Sequence, residues 1–346
     1  MKRRVFLLDI VRIILALLIF ARHSYGMYGC IWFSNSINSI ITVLTEPVMV
    51  CFFVLSGFSI RMSSYKKSFS NGNEILSFYK KRLLALLPPY YLLNLCYAIL
   101  IKGEMKNAVL LFPVQLFGIQ ASFRDLFGTF TFGGTWFVSC ILIAYLVYPL
   151  IHQIIPQLKK KTMIIVVILL LFLRCYADKI VIQYNLDRNY SNPFFRLMEF
   201  AIGVLLYDLF VSVKKGSIRR VVQWVSVGLL AAAIAYCGVE RMDGLKKLVQ
   251  LFYPTVILFA CVLFLSLQIH CEILEKSKVL AYMSSLTYPV YLMQMLAWNL
   301  SRLTFKPTTN FGKIVCSLLI TLVLSVIVER MMFLLKKALN KRTRSV

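Results

Sequence analysis

"LLDIVRIILALLIFARHS", residues 7–24, decides the fold, because it is apolar along most of its length and yet carries four ionisable side chains. An apolar run of about 17 to 25 residues can cross a bilayer as a helix. A charged side chain at bilayer depth costs at least about 2.5 to 3.5 kcal/mol, so it normally faces other helices or a water-filled cavity. The stretch therefore predicts a first membrane span with a polar face turned away from lipid.

Helix geometry separates the four ionisable residues. At 100° per residue, Asp9, Arg12 and His23 share one face, and the helix rise puts Arg12 and His23 roughly 16 Å apart. Asp9 and Arg12 can form a structural ion pair at i, i+3, and His23 can be an interfacial histidine in contact with headgroups. Arg22 is predicted to anchor the helix end at the interface.

The composition of the whole chain supports a membrane protein. Of 346 residues, 60% are hydrophobic and 15% are charged, and the mean hydropathy is +0.77, well above a soluble domain. The formal charge of +25 does not indicate a nucleic-acid partner, because Lys and Arg collect on the cytoplasmic side of membrane proteins. The nine cysteines have no CxxC spacing, so we expect buried thiols, with no disulfide framework and no metal site.

Apolar segments of spanning length predict an all-α polytopic protein with about ten transmembrane helices, in one membrane domain over residues 1–346. The predicted spans are 5–22, 39–60, 83–101, 135–155, 162–177, 194–213, 221–238, 247–269, 280–300 and 313–335. The apolar patch 108–119 is shorter and contains Pro113 and Gly118, so it is predicted to be interfacial or re-entrant. With the N-terminus inside, cytoplasmic segments hold 23 Lys and Arg against 13 outside, which predicts that both termini are cytoplasmic.

Further polar residues lie within or beside the predicted spans. The basic stretch "FYKKRLLALLPPYY" contains Lys80, Lys81 and Arg82, and a helix break is predicted after them at Pro88 and Pro89. The three cations are either positive-inside anchors or a phosphate-binding site. Arg196 and Glu199 can pair at i, i+3. The remaining members of this predicted polar interior are Ser56, Tyr288, Tyr291 and Gln294, the last three in a segment where we expect a break at Pro289.

"LDIVRIILALLIFARHS" resembles the first span of acyltransferase family 3, the integral-membrane acyltransferases in which an arginine is followed, after ten residues, by a histidine. Arg12 and His23 match this pattern, and Asp9 matches the acidic residue before it. The likeness covers nearly the whole chain, because five more segments match in order. They are "FFVLSGFSI", "FYKKRLLALLPPY", "TWFVSCILIAYLVYPLI", "RLMEFAIGVLLY" and "LTYPVYLMQ".

The resemblance implies an O-acyltransferase that moves an acyl group, usually acetyl from cytoplasmic acetyl-CoA, to a hydroxyl of a surface or exported carbohydrate. His23 would be the catalytic base, Arg12 would hold the donor or its developing charge, and Lys80, Lys81 and Arg82 would bind CoA. Acyl-CoA would be a co-substrate, with no tightly bound cofactor. The partners would be membrane lipid, the carbohydrate acceptor and an enzyme of glycan synthesis, in a bacterial cytoplasmic membrane.

The sequence also departs from the family pattern. It has no glutamate after Trp136, and Gln294 stands where a histidine is common, so Ser139, Tyr145 and Gln294 are assigned orienting roles at most. The alternative function is a transporter or exporter of a glycan or polar metabolite, since a polar bundle interior suits either task. Substrate accumulation in proteoliposomes without a CoA donor would favour transport.

Overall fold

The computed structural model describes residues 4–32, 34–101, 105–106, 109, 112–123, 134–184, 190–213 and 245–342. These residues form helices joined by turns, and no strand occurs among them. The predicted all-α class is therefore confirmed for this part of the chain. The seventh predicted span, 221–238, lies outside the described residues.

The α-helices are numbered in chain order. They are α1 Phe6–Tyr28, α2 Asn35–Val43, α3 Thr45–Ser64, α4 Gly72–Leu100, α5 Phe112–Phe117, α6 Thr135–Ile154, α7 Lys160–Cys175, α8 Ala177–Gln183, α9 Pro193–Val211, α10 Leu245–Ser266, α11 Glu272–Lys276, α12 Lys278–Leu300 and α13 Asn310–Arg342. Short 3₁₀ turns follow at Gln120–Phe123 and Ile155–Gln157, and a π turn follows α12 at Ser301–Phe305.

Several helices have the dimensions that the sequence predicts. By length and composition, four of those described can cross a membrane, namely Thr45–Ser64, Gly72–Leu100, Thr135–Gln157 and Asn310–Leu339. The six-residue α5 lies in the patch 108–119 and is too short to span a bilayer, as predicted. The number of spans and the cytoplasmic position of both termini stay predictions.

Two predicted breaks are wrong. Pro88 and Pro89 lie inside the continuous helix α4, and Pro289 lies inside α12. In hydrocarbon a chain break exposes backbone groups to a medium without hydrogen-bond partners, so a helix that loses one or two donors is less costly than an interrupted one. The prediction also started α4 at residue 83, eleven residues late, because hydropathy detects the apolar boundary and not the polar first turns of a helix.

The chain folds into two compact units, each assembled from separate segments. The first unit contains Met1–Val11, Val43–Ile75 and Ile143–Leu280, and the second contains Arg12–Thr42, Leu76–Leu142 and Ala281–Val346. The single membrane domain that the sequence predicts over residues 1–346 stays a prediction.

Two glycines allow α3 and α9 to pack closely in the first unit. A Cβ atom added at Gly57 would lie 2.0 Å from the carbonyl oxygen of Phe200, and one added at Gly203 would lie 1.9 Å from that of Val54. Each helix therefore presents a glycine to the backbone of the other. Such small residues permit close helix approach in membranes.

A buried ion network joins three helices of the first unit. Glu199, which is fully buried, accepts hydrogen bonds from Arg174 Nε at 2.7 Å and from Arg196 Nη1 at 2.7 and 2.8 Å. Arg174 also pairs with Glu46 of α3, and Arg196 donates to the carbonyl of Tyr190. The predicted Arg196–Glu199 pair is confirmed. With two arginines and two glutamates, the network has no formal net charge, which lowers the cost of burying it.

Substituting alanine at the α3–α9 crossing tests the close packing. We expect Gly57→Ala and Gly203→Ala each to destabilise the protein by about 1 to 3 kcal/mol or more, because the added methyl meets backbone and not a flexible side chain. Thermal melting of detergent-solubilised protein, followed by size-exclusion chromatography, measures the loss. Gly72→Ala is the control, since its Cβ would meet nothing within 4 Å. Equal melting of all three variants and wild type would contradict the packing.

Glu199→Gln tests the ion network. Removing this charge leaves two buried arginines with one remaining carboxylate, so we expect a loss of about 3 to 5 kcal/mol. Glu272→Gln is the matched control, because Glu272 and Lys276 form an exposed i, i+4 pair with side chains 78% and 75% exposed. An exposed pair contributes about 0 to 1 kcal/mol. If the two variants melt alike, Glu199 does not hold the unit together.

Candidate active site

Three polar side chains of α12 each contact a different segment of the second unit. The Tyr288 hydroxyl donates to the carbonyl of Leu86 in α4 at 2.9 Å, and the Tyr291 hydroxyl donates to the carbonyl of Gly134, just before α6, at 3.2 Å. Gln294 lies close enough to His23 of α1 for their side chains to interact by hydrogen bonding. The helix α12 is thus the element that holds this polar region together.

The His23–Gln294 pair has unused hydrogen-bonding capacity. Nδ1 of His23 and Oε1 of Gln294 are both buried, and neither has a hydrogen-bond partner of good geometry in the described part of the chain. The Gln294 amide nitrogen donates to the carbonyl of Tyr291 at 2.9 Å, which fixes the orientation of the amide. Because buried polar atoms are normally satisfied, these two atoms have the capacity to hydrogen-bond a ligand.

Side-chain contacts show that α4 and α12 run in the same direction. Tyr288 contacts Leu86 and Asn299 contacts Tyr97, and both pairs are 202 residues apart in sequence. A constant separation means that the two helices advance together. Arg82 therefore lies at the level of Ser284, about ten residues before the level of Gln294.

The helix α1 is also parallel to α12. Gln294 interacts with His23, and Trp298 stacks on Tyr28 with ring centroids 4.9 Å apart. In this register Arg12 lies at the level of Met283, next to the level of Arg82. At about 1.5 Å per residue, Arg12 and Arg82 share a level roughly 15 Å from the His23–Gln294 pair.

The predicted donor-binding cations occupy the early part of α4. Lys80 and Lys81 are exposed, whereas Arg82 is half-buried with its guanidinium 5.6 Å from the centre of the Phe78 ring. Arg12 is also half-buried. Arg82 is thus held against the helix surface, and Lys80 and Lys81 are accessible to solvent.

The other predicted site residues lie in the first unit. Asp9 accepts a hydrogen bond from Arg4 Nε at 2.7 Å, a partner that the sequence analysis did not consider. Arg196 and Glu199 belong to the buried ion network, and the Ser56 hydroxyl donates to the carbonyl of Phe52 one turn earlier. Within the second unit, Gln294 lies beside His23, and the level of Arg12 and Arg82 is roughly 15 Å away. Asp9, Ser56, Arg196 and Glu199 belong to the first unit.

A second polar cluster of the first unit was missed by the sequence analysis. Arg61 forms a two-point ion pair with Asp208 at 2.5 and 2.8 Å, and its Nη1 lies 2.7 Å from His152 Nδ1. His152 Nε2 lies 2.8 Å from the carbonyl of Lys67, and that acceptor requires Nε2 to carry the proton. His152 is therefore a neutral acceptor at Nδ1. The signal in sequence was the presence of Arg61, His152 and Asp208 at the ends of apolar runs.

The second unit supports the start of α6. The Gln120 amide donates to the carbonyl of Thr135 and accepts from the Tyr90 hydroxyl, both at 3.1 Å, and Ser139 Oγ accepts from the Ala121 amide at 3.3 Å. Ser139 therefore holds a turn. Gly134, at φ +83°, packs against the Tyr291 ring, which explains a glycine before Trp136.

The geometry can support group transfer between two ends of one unit. Cations that suit an anionic donor stand at one level, and a histidine with a glutamine beside it stands at the other. Among the described residues no group of three His, Cys, Asp or Glu side chains is arranged to hold a metal ion.

Comparison with known proteins identifies the family. The acyltransferase family 3 model, described as "Acyltransferase domain", matches residues 6–330, nearly the whole chain. No curated protein matches the chain, and no solved structure matches it. The matched range includes most of both units and every predicted site residue. The chain therefore belongs to acyltransferase family 3, and it is a membrane acyltransferase.

Proposed function

We propose that this protein transfers an acyl group, acetyl in the first instance, from cytoplasmic acyl-CoA to a hydroxyl of a cell-surface or exported carbohydrate. The observation that carries the proposal is the parallel register of α1, α4 and α12. It sets Arg12 and Arg82 at one level and His23 with Gln294 roughly 15 Å further along the same helices. A membrane enzyme that joins a donor from one side to an acceptor from the other needs such a separation.

The basic end suits the nucleotide of the donor. CoA carries several phosphate charges, and charge-assisted hydrogen bonds from arginine and lysine to phosphate are shorter and stronger than neutral ones. Lys80 and Lys81 are exposed and Arg82 is half-buried, so they can bind phosphates at an aqueous mouth. The extended pantetheine arm would then carry the thioester along the helices towards His23, past Arg12.

The histidine end suits the acceptor. A neutral imidazole can take the proton of a carbohydrate hydroxyl as its oxygen attacks the thioester carbonyl. The new C–O bond forms, the C–S bond breaks, and CoA leaves as a thiolate that takes up a proton. Gln294 would orient His23 or the hydroxyl through its free Oε1, the position at which related proteins commonly have a histidine.

The proposed setting follows from these roles. The protein would lie in the cytoplasmic membrane of a bacterium, with acyl-CoA as co-substrate and no tightly bound cofactor. Its partners would be membrane lipid, a glycan or lipid-linked sugar as acceptor, and an enzyme of glycan synthesis that supplies it. No nucleic acid is involved.

Two measurements test the proposal directly. Membranes that contain the protein should move label from [¹⁴C]acetyl-CoA to a carbohydrate fraction, whereas membranes without it should not. Mass spectrometry of surface glycans from cells with and without the protein gives the acyl mass and the acceptor together. Glycans of identical mass in both cells, with no transferred label, would overturn the proposal.

Replacing the histidine should remove proton transfer. We expect His23→Ala to lower the transfer rate by about 10²- to 10⁴-fold, the usual contribution of a general base. Arg12→Ala should cause a comparable loss, while both variants remain inserted in the membrane. His270→Ala is the matched control, because this histidine is 51% exposed and lies outside the second unit. Normal transfer by His23→Ala would remove the assigned base.

Replacing Arg82 should weaken donor binding. We expect Arg82→Ala to raise KM for acetyl-CoA by about 10- to 100-fold, the loss of one charge-assisted hydrogen bond. The KM for the acceptor should change little. Lys337→Ala removes an exposed cation of α13 and serves as the control. A rise in acceptor KM alone would assign Arg82 to the wrong substrate.

A further inference from the structure

A cavity of about 450 Å³ lies in the second unit where α12 ends. Its lining includes neither the proposed base His23 nor the proposed donor-binding residues Lys80, Lys81 and Arg82. Three cations line it, namely Arg302, Lys306 and Lys313. Arg302 belongs to the π turn after α12, Lys306 is the left-handed residue that ends this turn at φ +44°, and Lys313 lies in the first turn of α13. The π turn and the start of α13 thus deliver these three cations to the same space.

No carboxylate of the neighbouring sequence balances these charges. Residues 10–45 and 276–328, which include every residue that lines the cavity, contain no aspartate or glutamate. Among the described residues, no acidic side chain forms an ion pair with any of the three cations. Like charges brought together without a counter-charge repel one another, so an anion in the cavity would relieve them.

The wall of the cavity also has donors without acceptors. Trp298 is 2% exposed and Ser317 is fully buried, and Nε1 of the first and Oγ of the second have no hydrogen-bond partner in the part of the chain described. The Tyr28 hydroxyl is buried and unsatisfied in the same way. The indole N–H can only donate, so a partner for it must offer an acceptor atom. An oxyanion satisfies both the cations and these donors.

The cavity lies just beyond the proposed base. Tyr28 follows His23 by five residues in α1, and Trp298 follows Gln294 by four residues in α12. Both distances correspond to about 6 to 8 Å along parallel helices. A group bound in the cavity would therefore lie about one sugar unit away from a hydroxyl at His23, on the side away from Arg82.

We propose that this cavity binds an oxyanion, a carboxylate or phosphate carried by the acceptor, so that the carbohydrate acylated by this protein is an acidic one. The assignment of the anion to the acceptor rests on the function proposed above. A lipid phosphate at the membrane interface offers the same chemistry, and the experiment separates the two sources.

The test measures binding apart from transfer. The full chain is reconstituted into nanodiscs of phosphatidylcholine alone and titrated with oligogalacturonate, with a neutral glucose oligomer of equal length and with inorganic phosphate. We expect saturable binding of oligogalacturonate and weaker competition by phosphate, both reduced by salt, and none by the neutral oligomer. Arg302→Gln and Lys313→Gln should each weaken oligogalacturonate binding about tenfold or more. Lys337→Gln should not.

Further variants keep the result interpretable. Arg302→Lys and Lys313→Arg retain charge and should restore most of the binding, which a misfolded cavity would not allow. Equal affinity of wild type for the acidic and neutral oligomers would overturn the proposal. So would a Lys313→Gln variant that binds oligogalacturonate as tightly as wild type. Tight retention of phosphatidylglycerol in native mass spectra, lost in Arg302→Gln while oligogalacturonate does not bind, would assign the anion to lipid and equally overturn it.

Binding and transfer can fail separately. His23→Ala should bind oligogalacturonate like wild type although it transfers no acyl group. If wild type binds the acidic oligomer but no acyl transfer is found in any assay, the proposed enzyme is wrong and the anion site stands. If wild type and the double variant Arg302→Gln, Lys313→Gln transfer the acyl group to an acidic acceptor at the same rate, the anion site is wrong and the enzyme stands.

Discussion

Hydrocarbon supplies no hydrogen-bond partners, and this constraint governs every polar side chain that the helices carry into the membrane. In the first unit the protein itself supplies the partners of several charged groups. Glu199 is shared by Arg174 and Arg196, and Arg61 is paired with Asp208. In the second unit several buried atoms stay unsatisfied, among them His23 Nδ1, Gln294 Oε1 and Trp298 Nε1. Buried polar groups that pair with one another hold the fold, and the unsatisfied atoms of the second unit are those to which the proposed function assigns a ligand.

Much of the fold could be predicted from sequence, because an apolar run long enough to span a bilayer folds as a helix in lipid. The predicted span 135–155 nearly coincides with Thr135–Ile154. The prediction failed where hydropathy and helix differ, as at the polar start of α4, which begins at Gly72. It also failed at Pro88 and Pro289, because propensities measured in water overstate the tendency of proline to end a membrane helix.

The site was predictable only as far as local spacing reaches. The Arg196–Glu199 pair followed from an interval of three residues, and Arg12 with His23 followed from a family pattern within one helix. The partners of these groups come from distant segments and leave no trace in local sequence. Gln294 meets a histidine 271 positions earlier, and Arg174 meets Glu46, 128 positions earlier. Tertiary structure was needed to separate the ion network from the candidate active site.

The parallel arrangement of α1, α4 and α12 has an electrostatic consequence of its own. Each helix has a partial positive charge at its N-terminus and a partial negative charge at its C-terminus, and in parallel helices these dipoles add. The three N-termini therefore favour the phosphates of a donor, and the C-termini oppose an anion at the far end. Arg302 and Lys306, placed directly after the last turn of α12, have the sign that counters this opposition. The backbone thus creates a potential gradient along these helices, and Arg302 and Lys306 counter it at the C-terminal end of α12.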